Sequence, residues 1–212
     1  MSTAGLSEQL SAGLSALFSG PPRPDMTGQL LNYLELLIRW NDSYNLTAIR
    51  DPQQMVTRHL LDSLSVMPWI DEGPLLDAGT GAGLPGIPLA IMRPKLHVTL
   101  LDSTGKKIRF LNHVARSLAL KNIHPVQERL ENWTTEETPS RIISRAFADL
   151  DSFARACRHL MGEKTRLLAM KGKYPVGELN KLPAWLKIDS IEKLTVPGLQ
   201  EDRHLVIMSL IQ

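Results

Sequence analysis

A chain of 212 residues, 43% hydrophobic and 22% charged, has the length of one domain with an appendage, and a core of that size needs neither metal nor disulfide to close. Its net charge of +2 excludes an overall basic field, so any nucleic-acid contact has to come from a local patch. The single cysteine, Cys157, lies among Ala154, Ala156 and Leu160 in a helical pattern and reads as a reduced, packed thiol rather than a nucleophile.

No run reaches the about 20 apolar residues of a membrane span. The N-terminus also lacks a basic region followed by an apolar block. The expectation is a soluble, cytoplasmic protein with no membrane partner, in which the acceptor triplets Asn41-Asp42-Ser43 and Asn45-Leu46-Thr47 stay unglycosylated.

In chain order, Leu6, Leu10, Leu14 and Leu17 recur at steps of four and three, which predicts a helix from about Leu6 to Phe18. Gly20-Pro21-Pro22-Arg23-Pro24 reads as a hinge. Asp25 is then placed to cap a second helix with the stripe Leu30, Leu34, Leu37 and Ile38, ending at Trp40-Asn41-Asp42. These helices belong to an extension over residues 1–70 that acts as a lid or prop for a main domain over 71–212. Tyr44 to Pro52 is polar and turn-like, and Val56 to Ser63 looks helical, bringing Arg58, His59 and Asp62 into one turn. A surface salt bridge from Arg58 to Asp62 at i, i+4 is the simplest reading of that turn.

Leu75 to Ala90 is the stretch around which the chain is organised: a short apolar strand, an acid, a glycine-rich loop and a helix start. Gly79, Gly81 and Gly83 allow a tight turn and close approach of a ligand. Asp77 decides between cofactors, because a carboxylate at the strand end repels a pyrophosphate and favours the ammonium and sulfonium of S-adenosylmethionine. Gly81, Gly83 and Gly86 also satisfy G-x-G-x-x-G, with Asp102 near the offset of about 20 residues of an acid on an NAD ribose. A dinucleotide site and a plain chain reversal therefore stay open on the glycines alone.

Leu89 and Ile91 end a short helix at Arg93-Pro94, and the strand His97 to Leu101 delivers Asp102 as a ribose partner. Ser103 or Thr104 caps a long helix with Ile108, Leu111, Ala115 and Leu118 inward. Lys106, Lys107 and Arg109 in its first turns oppose the helix dipole, a cost that a phosphate would relieve. Strands follow at Ile123 to Gln127, Arg141 to Phe147 and Arg166 to Gly172, with a helix from about Leu150 to Leu160. Leu186 to Val196 and His204 to Leu210 form an antiparallel pair. The pattern is α/β, a mostly parallel sheet with helices on both faces, and ligands sit at the carboxyl ends of such strands. Asp77, Gly79, Asp102, Leu130, Glu131, Arg145 and Lys171 would all rim one crevice.

Asp77-Ala-Gly-Thr-Gly-Ala-Gly-Leu-Pro-Gly-Ile-Pro88, Leu101-Asp-Ser with Lys106-Lys107, Ile143-Ser-Arg-Ala-Phe-Ala148, Asn45-Leu-Thr47 and Arg58-His-x-x-Asp-Ser63 together resemble the RsmG (GidB) family of bacterial ribosomal small-subunit methyltransferases. The resemblance runs from about Leu30 to His204. It implies a Rossmann-like class I S-adenosylmethionine-dependent methyltransferase fold, with seven strands, a C-terminal antiparallel hairpin and an N-terminal helical extension. It also implies methyl transfer to N7 of a guanine in 16S ribosomal RNA, within the small subunit or an assembly intermediate, by a monomer. By position, Gly79 and Leu84 match the cofactor loop that also holds Gly81 and Gly83, Leu130 and Glu131 the adenine side, and Arg145 the arginine near cofactor and substrate. Position 78 is Ala where other members carry Val.

The residues also bear on the target atom. Cytosine C5 needs a nucleophilic cysteine, and exocyclic amines go with an Asn/Asp-Pro-Pro-Tyr/Phe motif that this chain lacks. Guanine N7 attacks with its own lone pair and needs no general base. Arg145 and Lys171 are the candidate catalytic residues, recognising and orienting the base through O6. Lys106, Lys107, Arg109, Lys171 and Lys173 are candidates for phosphates. Asn45, Arg58, His59 and Asp62 either shape the base pocket or anchor the helices to the sheet. A methyltransferase for protein or a small molecule shares the same loop, and an NAD oxidoreductase or a non-catalytic module are the remaining alternatives. No metal site is expected.

Overall fold

Short runs with little polar interruption, such as Leu75-Leu76 and Leu100-Leu101, are what strands covered on both faces require. In the computed structural model, which describes residues 3–18, 20, 23–145 and 147–211, these runs form the centre of one sheet. Pro21 and Pro22 of the expected hinge, Ser19 before it and Ala146 of the fourth-strand motif lie outside the described residues. The strands are β1 (Leu75–Ala78), β2 (Val98–Leu101), β3 (Ile123–Val126), β4 (Arg141–Ser144), β5 (Arg166–Lys171), β6 (Leu186–Lys193) and β7 (His204–Leu210). Their order is β3-β2-β1-β4-β5-β7-β6. β1 to β5 pair in parallel, and β7 runs antiparallel between β5 and β6. The order reverses at β1, flanked by β2 and β4, which is where such a sheet opens a ligand crevice.

The helices are α1 (Thr3–Phe18), α2 (Pro24–Tyr44), α3 (Pro52–Met55), α4 (Asp62–Leu64), α5 (Gly86–Met92), α6 (Gly105–Ser117), α7 (Leu150–Cys157) and α8 (Val176–Leu179). Several ends differ from expectation. Asp25 does not cap α2: Arg23 holds the cap position, Pro24 opens the helix, and Asp25 pairs with Arg23 at 2.7 Å. The helix also continues past Asp42 to Tyr44, and left-handed Asn45 (φ 48°) ends it. Asn41 stays buried within it because its Oδ1 accepts the Thr47 N–H at 2.8 Å, pinning the next loop. Thr104 stands at the cap position of α6 without a side-chain cap, and the buried face of that helix is Ile108, Phe110, Leu111 and Val114, leaving Ala115 and Leu118 half-buried.

Between α3 and α4, Val56–Leu61 winds as a π-helix, which overturns the expectation of an ordinary helical turn. The wider winding moves residues off the i, i+4 register, so the Arg58–Asp62 bridge does not form. Arg58 instead pairs with Glu201, while Asp62 turns inward to Arg145 and Arg203.

Two apolar layers cover the sheet. One runs unbroken from Leu10 and Leu14 of α1 through Leu30 and Leu34 of α2 to Ile87 and Phe110. The other packs Phe153, Ala154 and Cys157 of α7 on the opposite face. Cys157 is fully buried and burial pushes its thiol up, as expected of a packing residue. Among the described residues no helix is long and apolar enough to cross a membrane.

Buried Tyr33 of α2 donates its hydroxyl to the Ala82 carbonyl at 2.7 Å, so the N-terminal helices brace the glycine loop directly. Tyr33→Phe leaves that carbonyl unmet and is expected to cost about 1–2 kcal/mol in urea unfolding. It should also weaken cofactor binding several-fold in a titration, and unchanged values of both would show that the brace does not act on the loop.

Candidate active site

The glycine loop is built from the inside outwards. Fully buried Asp77 accepts the Thr80 hydroxyl at 2.6 Å and the Gly86 N–H at 2.8 Å on Oδ2. The helix-start N–H expected to meet a ligand is thus taken by the loop's own acid. A Cβ at Gly86 would lie 2.7 Å from that same oxygen, so only glycine closes the clamp. Gly79 and Thr80 donate to the Leu101 carbonyl at 2.9 and 3.0 Å, fixing the loop to the end of β2. Gly79 has φ +70° and open space where a Cβ would stand. Leu84 is buried in the core, so its side chain supports the loop from below.

Asp77 Oδ1 is buried with no hydrogen-bond partner among the described residues. Burial, opposed by the Thr80 and Gly86 hydrogen bonds, pushes this carboxyl up to about 6.

A cavity of about 380 Å³ lies over the ends of β1, β2 and β3. Gly79, Asp102, Leu130 and Glu131 line it together as expected, with Leu130 buried and Glu131 exposed at the rim. Phe147, Leu101 and Glu128 are among its other lining residues. Asp102 accepts the Thr104 N–H at 2.9 Å on one oxygen, and the Gly81 N–H at 3.1 Å with Lys107 Nζ at 2.9 Å on the other. Lys107 is therefore an internal counter-ion, and Lys106 donates to the Tyr44 carbonyl at 2.8 Å. Of the three cations expected to hold phosphate on this helix, Arg109 is the exposed one.

A second cavity of about 300 Å³ opens beside it, over the ends of β4, β5 and β7. It gathers Arg58, His59, Asp62, Arg145 and Lys171, which are far apart in sequence. Asp62, with its side chain 4% exposed, accepts from Arg145 Nη1 at 3.3 Å and Arg203 Nε at 3.0 Å. Arg145 Nη1 also reaches the Arg58 carbonyl at 3.0 Å. His59 lies with Nδ1 3.1 Å from the Arg58 carbonyl and Nε2 2.8 Å from the Thr47 hydroxyl, which fits one neutral tautomer donating from Nδ1. Burial and then the Arg145 charge push its imidazole down to about 4.

Lys171 is committed elsewhere, to Glu178 at 2.9 Å and the Ala148 carbonyl at 3.2 Å. Asn45 lies outside both cavities, accepting from Arg50 at 3.0 Å, and Lys173 is exposed. Sequence reasoning missed Arg203 and His204, which line the second cavity. The signal was the direction of β7: antiparallel to β5, it starts at the rim where β5 ends, and His204 pairs in register with Lys171.

Residues 26–206 match the family model GidB, described as rRNA small subunit methyltransferase G. The chain belongs to the GidB family. It is 50% identical over 205 residues to the ribosomal RNA small subunit methyltransferase G of Pseudomonas fluorescens (strain Pf0-1), covering 95% of this chain and 94% of that one. The protein of the same description from Escherichia coli (strain K12 / DH10B) is 48% identical over 180 residues, covering 85% and 87%. Solved structures share the fold. A SAM dependent methyltransferase from Aquifex aeolicus aligns with TM-score 0.59 at 17% identity, over 78% of this chain and 97% of that one. P. horikoshii TYW2 in complex with MeSAdo aligns at 0.57 with 9% identity, over 72% and 62%. The GidB sheet with its C-terminal hairpin is thus the expected S-adenosylmethionine-dependent methyltransferase fold.

His59 yields a pH prediction. Its pKa is lower in the folded than in the unfolded chain, so the stability it confers is full above pH 6.5 and is lost as pH falls towards about 4. Between pH 7 and pH 4.5 the wild type should lose about 2–3 kcal/mol more in urea unfolding than His59→Gln. Asp77 acts with the opposite sign in both proteins and cancels. Equal losses would mean His59 is not held neutral.

Proposed function

We propose that this GidB-family enzyme transfers the methyl group of S-adenosylmethionine to N7 of a guanine in 16S ribosomal RNA, acting as a cytoplasmic monomer on the small subunit or an assembly intermediate. The observation that carries the target atom is the state of the second cavity. The His59 imidazole has both nitrogens engaged, the Asp62 carboxylate is bound to two arginines and Lys171 is paired with Glu178. His59, Asp62 and Lys171 are thus engaged and not free to remove a proton, and guanine N7 requires none.

The residues fit the cofactor. Buried Asp77 Oδ1 lacks a partner and suits a cationic group, the open face of Gly79 admits close approach, and Asp102 presents a carboxylate to a ribose. Leu130 and Phe147 offer apolar surface to an adenine, with Glu131 at the edge. When bound, S-adenosylmethionine supplies an electrophilic methyl group on a sulfonium. The protein's part is to exclude water and align the acceptor. Arg145 and Arg203, fixed by Asp62, retain guanidinium donors for guanine O6 or a flanking phosphate. Lys171, held by both Glu178 oxygens and the Ala148 carbonyl, serves as a positive wall of the cavity, and Lys173 and Arg109 reach phosphates. Asn45 shapes the loop before the π-helix.

The test is incubation with methyl-labelled S-adenosylmethionine and unmodified small subunits, with naked RNA alongside, followed by borohydride and aniline cleavage. One cleavage site is expected, with more incorporation in the particle. Incorporation without cleavage would move the methyl group off N7. Arg145→Ala should raise the KM for RNA about tenfold, one lost base contact, with cofactor affinity retained; wild-type kinetics would remove Arg145 from the site.

A further inference from the structure

The segment Gly172-Lys173-Tyr174-Pro175 after β5 has no part in the chemistry above beyond the phosphate assigned to Lys173. Tyr174 is 49% exposed, an unusual position for a large aromatic ring on a chain with so few of them. It is not loose: its ring meets that of His204 edge to face, with centroids 5.4 Å apart and planes at 88°. His204 in turn lines the second cavity. It is 8% exposed, and its Nδ1 is buried without a hydrogen-bond partner among the described residues. Lys173, the neighbour of Tyr174, is exposed and makes no ion pair among the described residues.

An exposed aromatic ring and a free ammonium thus stand next to Gly172 and His204, which line the cavity assigned to the guanine. Single-stranded RNA is held by stacking its splayed bases on aromatic rings while cations take the phosphates. We propose that Tyr174 is the stacking platform for the nucleotide adjacent to the methylated guanine, with Lys173 on its phosphate and His204 fixing the ring from the cavity wall. This subsite rests on the reading of the second cavity as the guanine pocket. It explains why a half-exposed ring is anchored at that place, and it extends recognition beyond the single base that reacts.

The experiment is steady-state kinetics of wild type, Tyr174→Ala, Tyr174→Phe and Tyr174→Trp on small subunits and on naked 16S RNA, with cofactor affinity measured by titration. Tyr174→Ala should raise the KM about tenfold on both substrates, the size of one lost base stack, with kcat and cofactor affinity within twofold. Tyr174→Phe and Tyr174→Trp should restore the KM, because the ring and not the hydroxyl carries the contact. A wild-type KM in Tyr174→Ala, or a Phe variant as weak as Ala, overturns the proposal. A rise confined to the particle also overturns it, assigning the ring to a ribosomal protein. If Arg145→Ala is silent while Tyr174→Ala shows the rise, the guanine-pocket reading fails and the RNA contact at Tyr174 stands.

Discussion

The structure depends most on one buried carboxylate. Asp62 sits where the π-helix ends, and it is bound by Arg145 from the loop after β4 and Arg203 from the residue before β7. A carboxylate this deep would be strongly unfavourable alone, and two guanidinium groups offset the loss of water. The consequence is positional: three segments separated by as much as 141 residues are fixed at one rim of the sheet. The N-terminal helices are therefore part of the site and not an ornament on it, since the wall of the second cavity is made from their last turns.

The cofactor side follows a related rule. Asp77 gives one oxygen to its own loop and keeps the other buried and unmatched, so the loop is rigid while a site for positive charge remains. Asp102 is likewise held by Thr104, Gly81 and Lys107. Positions that hold their acids by backbone N–H donors lose little order when a ligand arrives, which is the physical content of preorganisation. Arg145 lines the second cavity, and Phe147 and Ala148 line the first.

Much of this was legible in the sequence where physics is local. Apolar runs marked all seven strands, the acid before the glycines indicated the cofactor, and the C-terminal hairpin announced itself by its two β-rich runs. What failed was long-range or depended on winding. Arg58 and Asp62 at i, i+4 looked like partners, yet a single π-turn, which no residue type announces, separated them. Asp25 looked like a cap because Pro24 before it was taken as part of the hinge. Lys106 and Lys107 looked available to phosphates because their acceptors, a carbonyl and a carboxylate, come from outside the helix. Arg203 and His204 were invisible as site residues because only the antiparallel course of β7 carries them to the rim.

The account stands on the proposal that Asp62 organises the second cavity, read as the substrate's, independently of the first, read as the cofactor's. The most direct measurement is cofactor affinity and single-turnover methyl transfer to small subunits by Asp62→Asn, with circular dichroism confirming that the variant is folded. The account predicts cofactor affinity close to wild type and transfer slowed by on the order of a hundredfold. Full transfer, or cofactor binding lost in proportion to transfer, would contradict it.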